Sequence, residues 1–144
     1  DELMPCFFKG IKQTEMALKC QDVTPEKVDA IVLTQFFQDH LHPPTLKKID
    51  KNVRIIGNKT ALWICKRMGF KNLELIKVGS EMEINTIKIT TFLGCRVGPL
   101  QRQNGYIFSS GTENMLFEPH GDIGDLEEVA KFKDLNSAVL PLVR

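Results

Sequence analysis

Asp39, His40 and His42 bring a carboxylate and two imidazoles within four positions, in the stretch Gln38-Asp39-His40-Leu41-His42-Pro43-Pro44. A further histidine, His120, sits far along the chain in Glu118-Pro119-His120, and the chain's three histidines all fall in these two segments. Imidazole is a frequent metal ligand and titrates near neutral pH. Beside a carboxylate it forms the nitrogen–oxygen donor set that zinc takes at catalytic sites, where one position stays open for the attacking water. The layout is one that builds a metal or catalytic site. Asp39 and His40 are the candidate catalytic pair. Asp39, His40, His120 and His42 are the candidate metal ligands, and Glu118 is a further oxygen donor. A reading without metal stands beside this one: Asp39 caps the turn into a helix opened by Pro43, and His40 bonds a backbone carbonyl.

Three more residues have chemistry to offer. Cys95 lies in a glycine-containing stretch and is a candidate thiolate, although no base is predictably near it and most such cysteines are inert. Arg96 and Arg102 flank it and are candidates for binding an anionic substrate group, against the reading that they are solvated surface charges.

The elements that must position these residues follow from apolar periodicity. Ala30–Leu33 is a short β-branched run, which predicts a buried strand ahead of the Asp-His loop. Thr45–Asp50 reads as a short helix behind Pro43-Pro44. Further strands are expected at Val53–Ile56, Leu73–Val78, Gly105–Ser109, Met115–Glu118 and Ala138–Leu142. Glu81–Ile84 and Ile87–Phe92 alternate around Asn85-Thr86 as an antiparallel hairpin. Gly94–Asn104 is expected to be a loop. Helices are expected over Pro5–Gln21 and Lys59–Met68, the second capped by Asn58, ended by Gly69 and packing Leu62 and Cys65 on the sheet. Thr24–Lys27 forms a helical turn, and Asp122 or Asp125 caps a helix running to Phe132. Strands alternating with helices predict a mixed sheet covered by helices, an α/β domain of the α+β type.

The Asp39-His40 segment resembles the metal-binding loop of the metallo-β-lactamase fold hydrolases, His-x-His-x-Asp-His, which falls here on Gln35, Phe37, Asp39 and His40. The whole chain is similar to a divergent, cyanobacterial and plant-like branch of that superfamily. That similarity rests on Asp39-His40-Leu41-His42, Thr45-Leu46-Lys47 and Glu118-Pro119-His120. The resemblance implies an αββα sandwich, with residues 1–144 forming a single partial domain that lacks strands at both ends. It also implies two metal sites of unequal fate. The first keeps neither leading histidine, and Phe36 and Phe37 are expected to fill it. The second keeps Asp39 and His40, with His120 near the place of the family's bridging acid. The implied activity is therefore hydrolysis of a small ester, amide or phosphoester with one zinc or other divalent metal. The alternative is a non-catalytic member serving as a binding or assembly module.

Bulk composition narrows the partners. A chain of 144 residues is one domain able to bury a core. A formal charge of +1 offers no basic field for nucleic acid. No apolar run is long enough for a membrane span, and no signal or targeting segment is recognisable. Cys6, Cys20, Cys65 and Cys95 are scattered, as in a reduced protein, so a cytoplasmic or plastid location is expected. The expected partner is a small-molecule substrate, with a homo-oligomer formed where missing strands leave apolar surface or an open sheet edge.

Overall fold

The computed structural model describes residues 19–38, 40–97, 101–121, 123, 124 and 126–140. Most of the helix expected at Pro5–Gln21 lies outside these residues, as do Asp39, Asp122 and Asp125. A 3-10 turn at Cys20–Asp22 and a turn closed by Val28 N donating to Thr24 O lead into the first strand. Eight strands and three helices follow: β1 Ile31–Leu33, α1 Pro43–Lys48, β2 Ile55–Gly57, α2 Lys59–Arg67, β3 Leu73–Leu75, β4 Glu81–Ile84, β5 Ile87–Val97, β6 Gln101–Ser110, β7 Glu113–Phe117, α3 Leu126–Ala130 and β8 Ser137–Val139.

The strands form two sheets. One is parallel, ordered β1-β2-β3, and the other is ordered β4-β5-β6-β7-β8, antiparallel except where β8 runs parallel to β7. Alternation along each strand sends its side chains to opposite faces. Ile31, Leu33 and Ile55 join Leu41, Leu46, Ala61, Leu62 and Cys65 under α1 and α2. Val32 and Ile56 point the other way, into a layer with Ile76, Ile89, Tyr106 and Phe108 between the sheets. Phe92, Ile107 and Leu116 leave the far face of the large sheet to pack on Val129 of α3. The stacking is helices, sheet, sheet, helix: the αββα sandwich. Among the described residues no helix is long and apolar enough to cross a membrane.

Helix α2 forms as its sequence dictates. Asn58 accepts a hydrogen bond from Ala61 N at 2.9 Å, and Gly69, at φ 94°, ends the helix in the left-handed region that glycine adopts without strain. Leu62 and Cys65 face the sheet as expected, while Trp63 is 58% exposed under the Arg67 guanidinium.

The stretch Gly94–Asn104 corrects the sequence reading. Its described residues are strand: β5 continues to Val97, and β6 begins at Gln101, with residues 98–100 outside the described residues. Its polar run hid the strand. The pairing Leu93↔Asn104 is followed by Arg96↔Arg102, so Gly94 and Cys95 together oppose the single residue Gln103. This is a β-bulge, which bends the strand and re-aims a side chain. Glycine is needed at its first position, because a Cβ on Gly94 would fall 2.7 Å from Gln103 Cγ and 3.0 Å from Glu118 Oε1.

A second close approach in this sheet yields a test. Gly105 pairs with Phe92, and a Cβ there would lie 2.2 Å from the ring. Gly105→Ala is expected to cost about 1–3 kcal/mol through overpacking. Urea unfolding should show a lower midpoint at unchanged m. An unmoved midpoint would mean that the Phe92 ring has room to turn aside.

Candidate metal centre

The centre lies where the ends of β1, β6 and β7 meet, and backbone stitching brings them together. Tyr106, fully buried in the large sheet, donates its hydroxyl to Leu33 O, the last carbonyl of β1, at 2.7 Å. Burial pushes that phenol well above its usual range, so it remains a donor. One residue on, Asn104 N donates to Thr34 O at 3.0 Å, and Asn58 Nδ2 donates to the same oxygen at 3.3 Å. The small sheet's outgoing loop is thus clamped to β6 at its first residue.

From Thr34 the chain makes a tight turn, with the backbone N–H groups of His40 and Leu41 both donating to Phe37 O at 3.0 and 2.8 Å. Leu41 is 1% exposed and anchors the loop in the core beneath α1. His40 therefore points away from that anchor, and its Nδ1 lies 2.8 Å from Thr34 Oγ1. At Nδ1 the partner is this side-chain hydroxyl. His42 takes a different role. It stands at the start of α1, where its carbonyl accepts from Thr45 N and Leu46 N at 3.1 Å each, and its Nδ1 lies 2.7 Å from Thr45 Oγ1.

On the opposing sheet, β7 ends at Phe117 and the chain turns through Glu118-Pro119-His120-Gly121. Glu118 is fully buried, and its carboxylate folds back on its own turn. Oε2 accepts from His120 N and Gly121 N, both at 2.7 Å. Consecutive backbone N–H groups converging on an anion form a nest, which Gly121 permits at φ 69°. Oε1 accepts from Gln103 Nε2 and, at 3.5 Å, from Cys95 N in the bulge. A carboxylate offers about four lone-pair directions, and protein donors meet all of them. Glu118 is thereby the frame of the site, joining β5, β6 and the turn after β7, and is poorly placed to serve as the oxygen ligand expected of it.

This frame fixes the chemistry of His120. Gln103 gives its Nε2 to Glu118, so its Oε1 faces His120 Nδ1, 2.7 Å away. An amide oxygen can only accept, and therefore Nδ1 carries the hydrogen and Nε2 carries the lone pair. Carboxylate orients amide, and amide orients imidazole. Partners of this kind orient and tune metal-binding histidines.

The two halves meet. The rings of His40 and His120 stack with centroids 4.7 Å apart and planes at 21°. Two imidazoles bound to one tetrahedral ion through bonds near 2 Å bring their ring centres to about 5 Å. The centroid spacing is near that value, but the rings stack with planes at 21°, so their in-plane lone pairs run side by side and one ring must turn before both reach one ion. A sulfur of Cys95, a ring nitrogen of His120 and an oxygen of Glu118 also lie within 4.8 Å of one another.

The remaining sequence candidates are distributed unevenly. Gln35 is 1% exposed, and its Oε1 has no hydrogen-bond partner. Phe37 does not fill the site as expected: it is 42% exposed and stacks on Phe36 at 4.4 Å. Arg96 and Arg102 are both exposed and face each other across β5 and β6 just beyond the bulge. Arg102 Nη1 reaches to 3.0 Å from the Cβ position of Gly124, in the loop after His120. Thr34 and Gln103 did not emerge from the sequence. The one available signal for Gln103 was the polar run Gln101–Asn104 directly before the apolar Tyr106–Phe108, which is compatible with a strand end facing a polar site.

No sequence-family model matches the chain, and no curated protein sequence does. Solved structures do. An isothiocyanate hydrolase from Delia radicum gut bacteria superposes with a TM-score of 0.64 at 16% identity, over 88% of this chain and 57% of that one. A Parabacteroides distasonis ATCC 8503 protein, whose metal-dependent hydrolase activity is itself inferred, gives 0.58 at 26% identity, over 81% and 54%. The metallo-β-lactamase fold protein YhfI from Bacillus subtilis gives 0.51 at 14%, over 64% and 41%. The chain thus spans little more than half the length of the first two.

Proposed function

We propose that this chain, which has the metallo-β-lactamase fold, is the metal-binding part of a metal-dependent hydrolase with a reduced, at most mononuclear site. The observation that carries the reading is the meeting of His40 and His120, one from each sheet, with ring centroids 4.7 Å apart. The structural neighbours support the fold and the general activity class. Asp39, next to His40 in sequence, would supply the carboxylate of the set. Zinc is the preferred ion for imidazole and carboxylate donors at such spacing, and when bound it would polarise the substrate and lower the pKa of a coordinated water.

The chain's own residues do the rest. Gln103 holds His120 in the tautomer with its lone pair on Nε2, and Thr34 holds the His40 ring by Nδ1. Glu118 fixes the backbone of His120 against the bulge. The facing arginines, Arg96 and Arg102, would attract a substrate bearing an anionic group, since two like charges directly opposed on a sheet favour a bridging anion. The substrate class is a small ester, amide or phosphoester, and the divergent cyanobacterial and plant-like branch is the natural place for such a chain.

The test is elemental analysis of the purified full-length protein, followed by assay on carboxylic ester, amide and phosphoester panels with and without chelator. About one equivalent of zinc or another divalent metal, with chelator-sensitive hydrolysis, is expected. Absence of both metal and hydrolysis would instead favour a non-catalytic binding or assembly module built on the same fold.

A further inference from the structure

We infer that Cys95 is a thiolate ligand of the site's metal, making the site selective for a thiophilic divalent ion such as zinc, cobalt or cadmium over hard ions such as magnesium or manganese. This rests on the metal-binding reading above and goes beyond it in naming the donor and the metal class.

The inference starts from the bulge. In an unbroken ladder one residue of β5 would oppose Gln103, but here Gly94 and Cys95 both do. The extra residue re-aims Cys95, bringing its sulfur within 4.8 Å of a His120 ring nitrogen and a Glu118 oxygen. Glu118 holds both backbones at once, through Cys95 N at 3.5 Å and His120 N at 2.7 Å. The two donors thus hang from one buried carboxylate, the preorganisation a metal site requires. Hydrogen bonds occupy the Glu118 oxygens, and the other donor atoms of the cluster are the Cys95 sulfur and the His120 ring nitrogen.

The donor chemistry points the same way. On binding a divalent metal, Cys95 would give its proton to solvent as the sulfur–metal bond forms. Thiolate with imidazole is a soft-to-borderline set, matched to zinc and mismatched to magnesium, calcium or manganese. Cys65 makes the contrast. It is buried among apolar side chains under α2, and burial pushes its thiol up to about 11, so it remains a core side chain.

The experiment is a cobalt(II) titration of the metal-stripped full-length protein, followed by absorption. Wild type and Cys65→Ser should show a near-ultraviolet sulfur-to-cobalt charge-transfer band together with visible ligand-field bands. Cys95→Ser should lose the charge-transfer band and bind cobalt at least tenfold more weakly, while keeping the wild-type circular dichroism spectrum. Cys95→Ala serves as a second variant should serine perturb the fold, with the same loss expected. Zinc should displace the cobalt and a large excess of magnesium should not. Ligand-field bands without a charge-transfer band in wild type would overturn the thiolate assignment and leave the metal reading intact. A charge-transfer band that survives in both Cys95 variants would also overturn it. No cobalt or zinc binding at all would overturn the metal reading and this inference with it.

Discussion

Glu118→Gln is expected to be the most destabilising single-atom change in this domain, at about 3–5 kcal/mol. The carboxylate is fully buried and accepts four hydrogen bonds, two of them at 2.7 Å from consecutive backbone N–H groups. Hydrogen bonds to a charged acceptor contribute about 1.5–3 kcal/mol each, and a stranded buried donor costs about 1–3 kcal/mol. Glutamine has one carbonyl oxygen and one NH2. Either orientation sets an NH2 against donors, facing the His120 and Gly121 amides in one case and Gln103 and Cys95 in the other. The lost anion also removes the attraction that holds the turn in its nest. With a domain's total stability near 5–15 kcal/mol, such a loss takes a large share. At about 3 °C per kcal/mol for a domain of this size, the melting temperature should fall by roughly 10–15 °C. Differential scanning calorimetry checks this directly. A fall of under about 3 °C would show that the Glu118 contacts are surface-like in strength and that the carboxylate is free to act as a ligand.

The parts of the fold that were legible in the sequence are those set by local chemistry. The Asn58 cap, the Gly69 stop and the apolar faces of Lys59–Arg67 are properties of that segment alone, and they gave helix α2 almost to the residue. The parallel strands β1, β2 and β3 were marked by short apolar runs, although each is shorter than its run. Periodicity failed at β5 and β6. Beyond Leu93 the apolar alternation stops, with Gln103 facing the site and Arg96 and Arg102 exposed, and the register gains an extra residue. A pattern built on burial cannot see a strand whose side chains are satisfied by a carboxylate from another strand.

The site was legible to the same degree and for the same reason. His40 and His120 could be named because histidine is rare in this chain and because both follow strands. Their meeting depended on the two sheets facing each other, which only the family resemblance supplied. Thr34 and Gln103 could not be named, since nothing local distinguishes them. Their roles exist only after Tyr106 and Asn104 clamp the β1 loop to β6. His42 stands beside His40 in sequence, but its ring lies against Thr45 at the helix start and outside the group formed by Cys95, Glu118 and His120.

That contrast sets a graded expectation for metal affinity. His120→Ala removes a nitrogen donor shared by every ligand set the site can assemble, and specific binding of zinc should fall at least a thousandfold. Gln103→Leu leaves the imidazole in place but removes the amide oxygen that fixes its tautomer, and a loss of about 10–100-fold is expected, the usual size for partners that orient a ligand. Thr34→Val should act on His40 in the same range, because the threonine hydroxyl holds that ring at 2.8 Å. His42→Ala should leave affinity within about twofold and at most loosen α1, since its ring makes a local contact only. Zinc affinities measured by competition with a chromophoric chelator would read all four variants on one scale. Ring-nitrogen NMR of the metal-free protein gives an independent check, with His120 expected as the Nδ1–H tautomer in wild type and a tautomer mixture in Gln103→Leu. A His42→Ala loss as large as that of His120→Ala would return His42 to the ligand set, and equal affinities for wild type and His120→Ala would remove the metal from this cleft altogether.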